Sequence, residues 1–249
     1  MNRWMMAGLI LLGAIGLSVA VASETFVGQA PDASSVATDA DHPVVRVNLA
    51  VLAHKIRLDR ALFSPGLVDD NPGDPRYRKA VRAFQEAHGL QIDGTVGPET
   101  SATLGRIGAL TRPFIIEKKH VDDIYVMPDN WYGKSLMPRM AYGSLLELVA
   151  EYAHTSQDFL RRLNPRTDWD KATSGTVVTI PNTQRKAPTF FAARVEILIP
   201  ERAVRVYDGD AKLRAFFNCS IGRDKDVYDG LALTIATAAE WPNYTLRPD

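Results

Sequence analysis

The clearest pattern of apolar positions in this chain lies between residues 77 and 88. Tyr77, Val81, Phe84 and His88 are spaced by three or four residues, so they fall on one side of an α-helix. Gly89 follows the last of these positions, where glycine readily adopts the left-handed conformation that ends a helix. The pattern therefore predicts an amphipathic helix that ends at about residue 88.

A turn and further helices are predicted on either side of this segment. Asp93-Gly94 is a tight-turn pair, and Pro98-Glu99 places a proline and an acid where a helix begins. Three other segments have apolar residues at helical spacing. These are Leu49, Leu52, Ala53 and Ile56; Leu145, Leu148, Val149 and Tyr152; and Phe159, Leu160 and Leu163. The sequence therefore predicts several short helices separated by loops.

The hydrophobic period changes to two from Ala192 onward, which predicts β-strands. Apolar residues alternate with polar ones in four short runs separated by turns. The runs contain Val195, Ile197 and Ile199; Val204 and Val206; Leu213, Ala215, Phe217, Cys219 and Ile221; and Leu231, Leu233 and Ile235. Another short strand is predicted from Val177 to Ile180. We therefore predict an α+β, multi-domain chain in which small helical modules precede a β-meander.

The first 22 residues have the pattern of a secretory signal peptide. Arg3 supplies a positive start, residues 4–21 are almost wholly apolar, and Ala20-Val21-Ala22 offers a small-residue cleavage site. An uncleaved anchor is the alternative, because the apolar run is at the lower limit of what spans a bilayer. Residues 23–44, rich in small and polar residues, predict a flexible linker. Both interpretations export the protein to the periplasm or cell envelope.

The composition limits the partners that this chain can have. It carries 29 basic and 29 acidic side chains, so no overall field favours nucleic acid or an anionic membrane. We expect membrane contact only through the signal peptide or an uncleaved anchor. Cys219 is the single cysteine, so no intramolecular disulfide can form even in an oxidising compartment.

The segment AVRAFQEAHGL, followed by IDGTVGPET, resembles the peptidoglycan-binding domain of bacterial cell-wall enzymes. The resemblance implies a small helical domain at residues 45–110 that docks on peptidoglycan. The candidate wall contacts are polar loop residues: Arg76, Asp93 and Thr95. The alternative is a domain that serves only as a spacer or packing partner. One departure is Asp69-Asp70, in a loop where the family often has Asp-Gly.

Residues 111–139 have no clean period and contain several prolines, so we predict a connector with short extended pieces there. Residues 140–183 then follow the order helix, helix, Asn-Pro, glycine, strand and Ile-Pro, which resembles a lysin motif. That resemblance implies a βααβ fold that binds glycans containing N-acetylglucosamine. The residues expected at the lips of its groove are Gly143, Ser144, Leu145 and Asn164. A degenerate module without glycan affinity is the alternative, because Tyr142-Gly143-Ser144 replaces the usual Gly-Asp-Thr.

Residues 190–249 resemble the opening half of an L,D-transpeptidase catalytic domain. The resemblance rests on VRVYDGDAKLRAFFNCSIGRD, on the strand at Gly230 and on Pro242-Asn243-Tyr244-Thr245. It implies cross-linking of peptidoglycan stem peptides through a cysteine acyl-enzyme, whose thiolate is activated by a histidine. In that family, the His-Gly and Ser-x-Gly-Cys elements follow well after these strands, and the chain reaches Asp249 before either element is expected. We therefore expect no catalytic residue among residues 190–249.

Cys219 is a poor candidate for the nucleophile, although it is the only cysteine. Strand alternation places it on the same predicted face as Leu213 and Phe217. A thiol on such a face is expected to be buried and inert. Detectable labelling of the native protein by a bulky thiol reagent would contradict this expectation.

No cofactor or metal ion is expected. Asp224, Asp226 and Asp229 have a loosely calcium-like spacing, but no glutamate completes the loop. No pair of histidines has zinc-ligand spacing, and no glycine-rich loop has the pattern that cradles phosphates. The sequence and its resemblances thus predict a cell-envelope protein of the L,D-transpeptidase type that binds the glycan strands and stem peptides of peptidoglycan and is inactive as given, because the catalytic motif is absent. The alternatives are a non-catalytic scaffold and a non-functional fragment.

Overall fold

The computed structural model describes residues 47–126, 128–137, 142–221, 230 and 232. The helices are α1 (Leu49–Arg60), α2 (Pro75–Ala87), α3 (Pro98–Leu104), α4 (Lys118–Asp122), α5 (Trp131–Ser135), α6 (Leu145–Tyr152) and α7 (Gln157–Leu163). The strands are β1 (Thr111–Ile115), β2 (Val177–Pro181), β3 (Arg194–Leu198), β4 (Ala203–Tyr207) and β5 (Leu213–Asn218). Helices and small antiparallel sheets are thus combined in one chain, as predicted.

Several predicted features lie outside the described residues. They are the signal peptide at 1–22, the linker at 23–44, the three aspartates at 224, 226 and 229, and the apolar residues of the fourth strand at 231, 233 and 235. Among the described residues, no helix is long and apolar enough to cross a membrane.

The ends of the first helices follow from their sequences. The side chain of Asn48 accepts a hydrogen bond from the Val51 N–H (3.2 Å) and caps α1. Asp74 caps α2 in the same way, accepting from the Arg76 N–H (2.9 Å). Gly89 has a φ of +66° just past α2, so the predicted end of this helix is confirmed.

The loop between α1 and α2 connects the first three helices, α1 to α3, to α7. Asp70 accepts hydrogen bonds from two nitrogens of Arg162, at 2.5 and 3.1 Å. These bonds hold the pKa of Asp70 below its usual value. The Thr155 hydroxyl donates to the Val68 carbonyl (2.7 Å), and Phe159 is buried in the same cluster as Val68. The loop between α1 and α2 and helix α7 therefore share buried surface.

The part of the chain from β1 to β2 is built on a two-stranded sheet. β1 pairs antiparallel with β2, from Thr111 opposite Pro181 to Ile115 opposite Val177. Helices α6 and α7 cover this sheet, and α4 and α5 lie between β1 and α6 in the chain. The first strand lies within residues 111–139, where the sequence predicted a connector. Pro113 obscured the strand pattern, yet a strand at a sheet edge tolerates proline.

The last three strands form an antiparallel meander in the order β3, β4, β5. It packs on α2. Arg205 on β4 donates to the Glu86 carboxylate on α2 (2.9 Å). Phe216 on β5 is buried in the same cluster as Phe84 on α2. The first three strands of the predicted meander are therefore present, and α2 packs against one face of their sheet.

A bulge in β5 changes which of its side chains face α2. The pairing with β4 skips Arg214, which has no residue opposite it. As a result, Leu213 and Phe216 are buried together, whereas Phe217 is only half-buried. Cys219 lies one residue beyond β5 and is also half-buried. The expectation that Phe217 and Cys219 share a buried face with Leu213 was therefore wrong.

Candidate functional site

The turn after α2 is shaped by one buried amide. Gln85 is 1% exposed, and its Nε2 donates to the Asp93 carboxylate (2.8 Å), the Thr95 carbonyl (2.9 Å) and the Thr100 hydroxyl (3.1 Å). Its Oε1 accepts from the Gly94 N–H (2.9 Å). This side chain therefore fixes the loop that presents Asp93 and Thr95. Sequence reasoning missed Gln85, although its position four residues after Val81 places it on the buried stripe.

Asp93 and Thr95 lie together on the surface of this turn. The Asp93 carboxylate also accepts from the Thr95 N–H (2.7 Å). The Gln85 amide and then the Thr95 N–H hold the pKa of Asp93 below its usual value, so the exposed carboxylate stays ionised. Gly94 between them has a φ of +76°, and a Cβ there would lie 2.9 Å from the Arg78 side chain. The turn therefore requires glycine at position 94.

Replacing Gln85 with alanine should destabilise the chain by about 2 kcal/mol, because the buried Thr100 hydroxyl and the loop at residues 93–95 lose their hydrogen bonds to this side chain together. Chemical denaturation monitored by circular dichroism would measure the loss. Gln91→Ala is the matched control, since Gln91 is exposed and its change should stay within about 0.5 kcal/mol. Equal losses for the two variants would show that the buried amide does not hold the turn.

Arg76 lies at the opposite end of α2 from this turn. Its guanidinium bonds the Asp74 carboxylate through Nη2 (2.8 Å) and Nε (3.0 Å), and these bonds raise the pKa of Arg76. Gln85 is nine positions after Arg76, which corresponds to about 13 Å along the helix axis. The three polar residues predicted as wall contacts therefore do not form one cluster. Asp93 and Thr95 belong together, and Arg76 lies at the far end of the helix, paired with the cap residue Asp74.

Residues 48–104 match the protein family described as "Putative peptidoglycan binding domain". The chain therefore contains a peptidoglycan-binding domain, which consists of α1, α2 and α3 with their loops. The domain associates this protein with the cell wall. A search of curated proteins finds no match to the chain.

A second candidate site is a cavity of about 500 Å³ at the junction of α6, α7 and the loop after α7. Ser144 and Asn164, which the sequence predicted at the lips of one groove, both line it. Leu145 does not, because it is buried in the core under the sheet. Gly143 lies beside the cavity, where its N–H donates to the Glu147 carboxylate (2.9 Å). The structure thus brings two of these four predicted residues to the same opening.

Asn164 and Ser144 already have structural partners. Asn164 is buried, donates to the Leu160 and Thr179 carbonyls (2.9 and 2.8 Å) and accepts from the Thr179 N–H (2.7 Å). It therefore ties α7 to β2. The Ser144 hydroxyl accepts from the Glu147 N–H (3.1 Å) and caps α6. Both residues shape the rim of the cavity instead of offering free groups to a ligand.

The other polar and aromatic side chains that line the cavity come from α7 and the loop that follows it. They are Gln157, Arg161, Thr167, Asp168, Trp169 and Asp170. Trp169 packs partly on the core, and its buried Nε1 has no hydrogen-bond partner within the described structure. An aromatic surface flanked by a few polar groups is the usual lining of a small-molecule site. Sequence reasoning missed Trp169, because it stands in a loop without apolar periodicity.

The described residues offer no metal centre, since none of their His, Cys, Asp and Glu side chains form a group of three. Cys219 is half-buried beyond β5. All five histidines of the sequence precede β3, so none lies on the meander. The residues that line the two sites offer hydrogen bonds, ion pairs and an aromatic surface to a ligand.

Proposed function

We propose that this protein binds peptidoglycan in the cell envelope through residues 48–104 and through the cavity beside α7. The single observation that carries the proposal is the peptidoglycan-binding domain. Its turn at residues 93–95 is the part of the predicted wall surface that is rigidly held and charged. An ionised carboxylate and backbone groups at a fixed turn suit hydrogen bonding to the polar groups of a glycopeptide.

The cavity beside α7 is proposed as a glycan subsite of the lysin-motif type. Two observations support this assignment. The chain order β1, α6, α7, β2 follows a βααβ arrangement with α4 and α5 inserted after β1. The cavity also lies at the loops where the resemblance places the groove, and it combines the Trp169 ring with hydroxyl, amide and carboxylate groups. A sugar ring offers hydroxyl groups and an apolar face that match this lining.

A more specific form of this proposal is that β3, β4 and β5 belong to a domain of the L,D-transpeptidase type. The consecutive antiparallel order of β3, β4 and β5 supports it. Acyl transfer would need a nucleophilic cysteine next to a histidine. Half-buried Cys219, on a meander without histidine, does not supply that pair. The described part of the chain therefore does not by itself supply the groups that the transfer reaction needs.

Sedimentation with purified sacculi tests the proposal. The full chain should pellet with sacculi, and soluble muropeptides should compete. Removing the domain as a whole is unsuitable, because Phe84 and Phe216 share one buried cluster and the remaining chain would lose its core. Point variants at the cavity avoid this problem. Failure of the native protein to pellet with sacculi would contradict wall binding.

The variant Gln157→Ala/Arg161→Ala tests the cavity. Both side chains line it, and the Arg161 ion pair with Asp158 is exposed and adds little stability. We expect binding of this variant to sacculi to fall several-fold. Soluble N-acetylglucosamine oligomers should compete with sacculi for the native protein. Lys118→Ala/Asp122→Ala is the control, since this exposed pair lies on α4. Unchanged binding by the cavity variant would assign retention to residues 48–104 alone.

A further inference from the structure

A larger cavity, of about 590 Å³, lies between the end of α1, the segment after α3 and residues 184–190. Six cationic side chains line it: Arg57, Arg60, Arg106, Arg185, Lys186 and Arg214. No acidic side chain from the described part of the chain joins them. Since the whole sequence has 29 basic and 29 acidic residues, this cavity is a local concentration of positive charge in a neutral chain.

Two of these arginines are held in position by backbone carbonyls. Arg57 donates through Nη1 to the Gly105 carbonyl (2.6 Å) and also bonds its own helix. Arg60 donates through Nε to the Gln184 carbonyl (2.5 Å), which attaches the segment after β2 to α1. A guanidinium has five N–H donors, so both side chains retain donors after these bonds. These two side chains are therefore held in place on one side of the cavity, and their remaining N–H groups can donate to a ligand.

The charges of this cavity are largely uncompensated by the protein. Arg214 lies 3.6 Å from the Asp208 carboxylate. The other five cations have no carboxylate partner among the residues that the structure describes. Like charges gathered around one cavity repel each other, and an anionic ligand would relieve that repulsion. Guanidinium groups match the planar, bidentate geometry of carboxylates and phosphates.

We propose that this cavity binds a ligand with several oxyanion groups, and that on the cell wall it takes the carboxylates of a peptidoglycan stem peptide. The inference rests on the proposed wall binding, which supplies a polymer whose peptides carry free carboxylates. It assigns the two cavities different parts of one polymer. The cavity beside α7, with its aromatic ring and polar groups, takes the glycan, and the cationic cavity takes the peptide.

Titration calorimetry at low ionic strength tests this assignment on the full chain. The probes are the stem tetrapeptide released from sacculi and inorganic pyrophosphate. The variant Arg106→Glu/Lys186→Glu reverses two exposed cations that have no carboxylate partner in the described ranges, so folding should be unaffected. We expect the native protein to bind the tetrapeptide, and the variant to bind it at least about ten-fold more weakly.

Arg202→Glu/Lys212→Glu is the matched control, because it makes the same change in net charge with exposed residues that do not line the cavity. It should bind the tetrapeptide within about two-fold of the native protein. Equal weakening by both variants would indicate a general charge effect and overturn the site. Binding of pyrophosphate without the tetrapeptide would overturn the assignment to stem peptides in favour of a phosphate ligand.

Sacculus sedimentation separates this inference from the proposed function. Native protein that pellets with sacculi but does not bind the tetrapeptide overturns the peptide subsite and leaves wall binding intact. Native protein that binds the tetrapeptide but fails to pellet supports the cationic site and contradicts wall binding as proposed.

Discussion

Replacing Asp69 with alanine should destabilise the folded chain by about 3–5 kcal/mol, because it leaves the ammonium group of Lys55 buried without a counter-charge. The Lys55 side chain is fully buried, and its Nζ lies 2.5 Å from the Asp69 carboxylate. A charge that is removed from water regains its solvation only from such a partner. Asp69 also accepts from the Asn71 N–H (3.1 Å), so the loop would lose a second contact.

Chemical denaturation at neutral pH would measure this loss, and the exposed pair Lys118–Asp122 provides the control. Asp122→Ala should cost less than about 1 kcal/mol, because both of its charges remain in water. Adding Lys55→Met to Asp69→Ala should restore much of the stability, since no buried charge then remains. A loss for Asp69→Ala as small as that for Asp122→Ala would show that water reaches Lys55.

The Asp69-Asp70 loop shows where sequence reasoning ends. The sequence pattern predicted a loop here and showed that Asp69-Asp70 replaces the usual Asp-Gly. No residue within the loop explains this replacement. Its cause is tertiary. Asp69 neutralises Lys55 from α1, and Asp70 binds Arg162, which is 92 residues later in the chain. A single sequence does not reveal which distant cation a carboxylate will meet, so two structural aspartates looked like an irregularity.

Local signals, by contrast, were predictable because their causes lie within a few residues. The stripe from Tyr77 to His88, the glycine at position 89 and the proline at position 98 all act within a turn or two of helix. The candidate site was only partly predictable for the same reason. Loop position brought Ser144 and Asn164 to one opening, but Trp169 and the cationic cavity depend on segments that meet only in the fold.

Strand β1 was predicted only as an extended piece of a connector, because its partner is distant. Residues 111–115 contain a proline, and the strand pairs with residues 177–181, far along the chain. Without that partner in view, five residues with one buried position do not differ from an irregular connector. Pairing across long sequence separations is the part of a β-sheet that alternation cannot supply.

Replacing Phe216 with alanine should cost about 3–5 kcal/mol, whereas Phe217→Ala should cost about 1–2 kcal/mol. Strict alternation from Leu213 makes the opposite prediction, because it places Phe217 on the buried face. The bulge at Arg214 shifts the remaining strand by one residue, so Phe216, at 1% exposure, enters the core beside α2. Both variants remove the same ring, so the chemical change is identical at the two positions. The difference between their free energies of unfolding therefore measures the difference in burial of the two rings. A larger loss for Phe217→Ala would mean that β5 has no bulge, and that the sheet rests on the peptidoglycan-binding domain through its other face.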